Sequence, residues 1–174
     1  MLTNRLKARD GFTLGEVIAV LAIVAIISAV IISRSGSFSA DLPAQTEILK
    51  THLRYAQNLG MSGSTPANIY GIKCDTNFYW LFKGTNPDAN IVPLLDDPRY
   101  DTGSDGKLNL SEKKIDIATA FTLFFDERGI PYTAYTDENT NTPLASDYSI
   151  VVQPDGAASP TETITVTQHT GFIP

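Results

Sequence analysis

Cysteine is almost missing from this chain. Cys74 is its only one, so no intramolecular disulfide is open to it. The simplest role for that thiol is a small apolar residue in or beside a strand. Histidine is nearly as scarce. His52 and His169 lie far apart, and no second His, Cys or carboxylate cluster sits near His52 in sequence to favour a metal there. The serines lack a nucleophile-elbow pattern, the glycines form no phosphate loop, and Cys74 has no activating base close by in sequence. The chain is therefore not expected to be an enzyme. Positive charge is short as well. Thirteen Lys and Arg stand against 19 Asp and Glu. That balance argues against a domain built to hold phosphate backbones, so nucleic acid is not an expected partner.

What the chain has instead is a long apolar run near its start. Val17 to Ile32 is broken only by Ser28. A helix of ~20 such residues matches the hydrocarbon thickness of a bilayer. Arg5, Lys7 and Arg9 precede the run and only Arg34 follows it closely. This order would keep the N-terminus cytoplasmic and export the remainder. Glu16 stands at the start of the run. A carboxylate inside a bilayer costs about 2.5–3.5 kcal/mol on insertion scales, so its default reading is functional.

The stretch Gly11-Phe12-Thr13-Leu14-Gly15-Glu16, with its basic flank and apolar continuation, resembles the N-terminal signal of type IV prepilins and type II secretion pseudopilins. The resemblance implies cleavage by a prepilin peptidase between Gly11 and Phe12, with methylation of the new N-terminal Phe12. It makes Glu16 the fifth mature residue and an assembly contact, paired with the N-terminal amine of a neighbouring subunit. Gly15 departs from the pattern, which usually carries a large aliphatic residue there. An ordinary secretory signal fits less well, because the run is long and no small-x-small site follows it. The leader takes Arg5, Lys7, Arg9 and Asp10 with it. The mature chain keeps 10 Lys and Arg against 18 Asp and Glu, a balance of −8.

The expected order is a leader over 1–11, a transmembrane or filament-core helix over 12–34 and an exported head over 35–174. Small polar residues from Ser33 to Ser39 weaken the helix between them. Asp41-Leu42-Pro43 is a restart signal. Ile48, Leu49, His52, Leu53, Ala56, Leu59 and Gly60 then recur at helical spacing, predicting an amphipathic helix over 42–61. Beyond it the chain is β-rich. Strands are expected at Asn68–Lys73, Asn77–Lys83, Phe121–Phe125, Ile130–Tyr135, Tyr148–Val152 and Thr163–Thr167, with turns at Asp75-Thr76, Asp126–Gly129 and Pro154–Gly156. Phe78-Tyr79-Trp80 could stack on sugars or bases, but packing of a half-buried strand is the favoured reading. The expected fold class is α+β: a long N-terminal hydrophobic helix, broken near 33–42, continuing into an amphipathic helix packed on an antiparallel β-rich head.

Three further segments, in order, are similar to the H-type pseudopilins and related minor pilins. They are Leu53-Arg54-Tyr55-Ala56-Gln57, Phe125-Asp126-Glu127-Arg128-Gly129-Ile130-Pro131, and Thr167 to Ile173 with Thr170-Gly171. Between them, Asp101 to Glu112 fits a calcium loop. Asp101 takes position one, Asp105 position five and Gly106 the turn. Lys107 offers its carbonyl, Asn109 takes position nine and Glu112 the closing bidentate position. Gly103 departs from the pattern. The candidate cofactor is Ca²⁺, and the alternative is an acidic loop that needs no metal.

The function implied by the resemblance is a structural, minor subunit of a type IV pilus-like filament or type II secretion pseudopilus. The implied partners are the prepilin peptidase, other pilin or pseudopilin subunits and an inner-membrane assembly platform. The implied location is a single pass in the inner membrane, then a periplasmic or cell-surface filament. The alternative is a DNA-uptake or adhesive minor pilin whose head binds a ligand.

Overall fold

The computed structural model of the chain describes residues 13–35, 41–63, 69–75, 77–94 and 106–174. The chain divides into two units, Met1–Ser39 and Ala40–Pro174.

The first unit is helix α1 (Leu14–Ser35). Its side chains are described as far as Ser28. Nine large apolar residues between Leu14 and Ile27, including Ile18, Leu21 and Val24, are each at least 46% exposed. They lie on every side of the helix, so α1 has no polar face to turn to water. The expected transmembrane helix over 12–34, continuing into the next, is corrected here. Among the described residues no helix is long and apolar enough to cross a membrane. The two helices belong to separate units. The single-pass inner-membrane location loses its basis with that span.

The second unit opens with α2 (Asp41–Ser62). Its apolar positions fall on one face, and Leu42, Leu49, Leu53 and Ala56 are buried there. Ten strands follow. They are β1 (Tyr70–Cys74), β2 (Phe78–Lys83), β3 (Ile91–Val92), β4 (Leu108–Asn109), β5 (Ile115–Ile117), β6 (Phe121–Phe125), β7 (Pro131–Tyr135), β8 (Asn141–Pro143), β9 (Tyr148–Pro154) and β10 (Glu162–Val166). One sheet runs β3-β2-β1-β6-β7-β8, with β4 also on β2; the other runs β10-β9-β5. Every pairing is antiparallel. The antiparallel β-rich body and the amphipathic helix agree with expectation.

Alternation along the strands decides what each face buries. Ile72, Tyr79, Leu81, Leu123 and Phe125 point into a core shared with α2 and with Ile150, Val152, Ile164 and Val166 of the smaller sheet. Trp80, Phe82, Phe124, Tyr132 and Tyr135 form a second cluster with Ile69. A bulge between Tyr132 and Ala134 lets both tyrosines of β7 join it, although their spacing alone would put them on opposite faces. Tyr79 and Trp80 are thus buried in different clusters. Trp80 is 1% exposed, with Lys107 4.2 Å and Lys73 5.3 Å from its ring. The aromatic run is packing and offers no free stacking face.

Candidate functional site

The start of α1 is built by Thr13 and Glu16. Thr13 N donates to Glu16 Oε2 at 2.9 Å, and Glu16 N donates to Thr13 Oγ1 at 3.3 Å. This is a reciprocal capping box, in which two orphan donors at a helix start are satisfied at once. The Thr13 hydroxyl adds a third contact to the same carboxylate oxygen at 3.1 Å. The bond from the Thr13 backbone, followed by that from its hydroxyl, holds the Glu16 carboxyl below its ordinary pKa. Its proximity to the helix N-terminus also suits a negative charge. Reading Glu16 only as an assembly contact missed the cap, although the Thr-x-x-Glu spacing carries that signal. Gly11 and Phe12, the expected cleavage and methylation pair, lie outside the described residues.

The acidic loop is only partly in view. Asp101 and Asp105 lie outside the described residues, as do Gly103 and Arg99. Gly106 has φ +77°, as the turn position of a calcium loop requires. Lys107 covers Trp80. Asn109 sits in β4, and its Oδ1 accepts from Ser111 N at 3.0 Å. That oxygen is already engaged in an Asx turn. Glu112 lies in the 3-10 turn Ser111–Lys113. Among the described residues no group of three or more His, Cys, Asp or Glu is placed to hold a metal.

The structure brings together the three segments that resembled the H-type group. Gln57, on α2, donates through one nitrogen to Gly129 O at 3.0 Å and to Thr170 O at 2.9 Å. One turn earlier, Arg54 Nε donates to Ile173 O at 3.0 Å. The β6–β7 turn that receives Gln57 is organised by Asp126, which is 7% exposed. Asp126 Oδ1 accepts from Arg128 N at 2.9 Å and Ile130 N at 2.8 Å. Its Oδ2 takes the Arg128 guanidinium at 3.1 Å and the Tyr132 hydroxyl at 3.0 Å. A buried carboxylate with this many donors is fully satisfied and has no lone pair left for chemistry. The cluster is a joint between helix, turn and C-terminus.

His52 and Cys74 are also internal. His52 Nδ1 lies 3.0 Å from Tyr79 Oη, both buried between α2 and β2. Cys74 is buried, and that burial pushes its pKa up to about 12, with Asp75 and Asp116 adding to the shift. The thiol stays protonated at neutral pH and is a poor nucleophile.

No family model, no curated protein and no solved structure matches this chain.

Proposed function

We propose that the chain is a structural subunit of a type IV pilus-like filament or type II secretion pseudopilus, assembled through its N-terminal helix. The observation that carries this reading is α1. Nine large apolar side chains between Leu14 and Ile27 are exposed on all sides of one helix. Such a surface is unfavourable in water and calls for apolar cover. In this reading copies of the same helix, bundled together, supply that cover. The prepilin-like stretch Gly11–Glu16 supports the same reading. It adds the peptidase that cuts after Gly11 and an assembly platform that draws subunits into the filament.

In this reading Glu16 has two partners to serve in turn. Its carboxylate caps α1 through Thr13 before assembly, and in the filament it receives the N-terminal amine of a neighbour. The test is incorporation of a Glu16→Ala chain into filaments in cells. Processing at Gly11 is expected to persist while incorporation falls sharply. Thr13→Ala, which removes the hydroxyl contacts and keeps the carboxylate, is expected to incorporate far better than Glu16→Ala. Normal incorporation of Glu16→Ala would overturn the role of this residue.

A further inference from the structure

The last residues of the chain leave β10 and fold back over the end of α2. Regular pairing stops at Val166. Gln168 N donates to Asp147 Oδ1 at 2.9 Å, which roots the segment. Beyond that root the chain forms its own small loop. Gly171 N donates to Thr167 O at 2.8 Å, and Thr167 N to Phe172 O at 3.0 Å. The Thr167 hydroxyl donates to Phe172 O as well, at 3.0 Å.

Seating alternates along this strap. Gly171 and Ile173 are buried, whereas Thr170, Phe172 and Pro174 are exposed. Ile173, at 2% exposure, joins the core beneath α2. Gly171 has φ +62°, and a Cβ there would run into Gly129 O and Gln57 Nε2. No other residue fits that place without moving the strap or the turn. The strap is tied to the rest by Ile173 and by side-chain-to-backbone bonds from two residues of α2, Arg54 and Gln57. Gln57 also holds Gly129, so the same amide closes both the strap and the β6–β7 turn onto the helix.

We propose that this C-terminal strap is a latch. It opens as a unit by itself, at less cost than unfolding either sheet, and in its closed state it fixes the last turns of α2 to the β6–β7 turn. The physical basis is the contrast in attachment. The strap has one buried side chain and a handful of hydrogen bonds near solvent, whereas β1 is paired along its whole length on both sides. Segments of the first kind open locally while fully paired strands exchange only with the whole body. Opening removes Ile173 from the core and both acceptors other than Gly129 O from the Arg54–Gln57 face, so the end of α2 loosens with the strap. This inference stands on the body alone and does not depend on the filament reading.

Native-state hydrogen exchange on the full chain tests it. The amides of Thr167 and Gly171, and of the last turn of α2, are expected to exchange at least about tenfold faster than those of β1 and β6, the factor set by about 1.4 kcal/mol. Gly171→Ala is expected to speed the strap amides by about tenfold more and to leave β1 and β6 unchanged. If that variant fails to fold, Gln57→Leu gives the same readout. Gln57→Lys, which restores a donor to the two carbonyls, is expected to recover much of the strap's protection. Equal exchange of strap and β1 in the unmodified chain overturns the latch. So does a variant in which β1 and β6 accelerate as much as the strap.

Discussion

Gly71 sits mid-strand in β1, opposite Phe82 on one side and Phe124 on the other. Those two rings meet edge to face with centroids 5.1 Å apart, directly over the bare backbone. A Cβ at this position would strike the Leu123 carbonyl and the Phe82 ring. Gly71→Ala is therefore expected to destabilise the body by about 1–3 kcal/mol, read as a lower urea midpoint at unchanged slope. Cys74 makes a second prediction at this scale. Its folded pKa, about 12, lies above its ordinary value of 9.0. The unfolded chain thus releases this proton first as pH rises. The stability that Cys74 contributes is complete below about pH 9 and is lost between pH 9 and 12. Thermal melts across that window should show a fall that Cys74→Ala reduces, and a thiol reagent at neutral pH should label the native chain only on unfolding. The apolar reading of Cys74 was legible in the sequence. The reason for Gly71 was not, because it depends on two rings brought in by different strands.

At the scale of elements, α2 and the strands with clear alternation were legible. The period of Leu49, Leu53 and Ala56 marks the buried face, and Asp75 punctuates the β1–β2 hairpin, its Oδ1 accepting from Asn77 N at 2.8 Å and Phe78 N at 2.7 Å. The two- and three-residue strands β3, β4, β5 and β8 left no period to read, since tertiary pairing alone makes them strands. The Tyr132–Tyr135 spacing misleads for the same kind of reason: the bulge changes the parity. If α2 is held by that buried face, Leu53→Ala should cost about 2–5 kcal/mol. Thr51→Ala, on the exposed side with its hydroxyl bonded back to Glu47 O, should stay within about 0.5 kcal/mol. Denaturant titration of the pair checks the contrast.

For the whole molecule, the division into two units matters most. The body, Ala40–Pro174, holds every buried apolar residue of the described chain, while α1 holds most of the exposed ones. A chain starting at residue 40 is expected to keep the urea midpoint of the body and to run as a monomer. A chain that retains α1 is expected to associate unless its apolar surface is covered by detergent or by other copies. Sedimentation of the two distinguishes these outcomes. The apolar run itself is plain in the sequence, but the membrane span it suggests is not supported among the described residues. The joint at Gln57 was legible only as three separate resemblances. Its contacts join positions 72 and 113 residues apart, and no local pattern reports a meeting at that range. The proposed function requires that α1 begin at a processed end and serve to assemble a filament. Mass spectrometry of the N-terminus of the chain taken from its native cell tests this most directly. Loss of residues 1–11 and a methylated Phe12 are expected; a chain that still begins at Met1, with Phe12 unmodified, would overturn the proposed function.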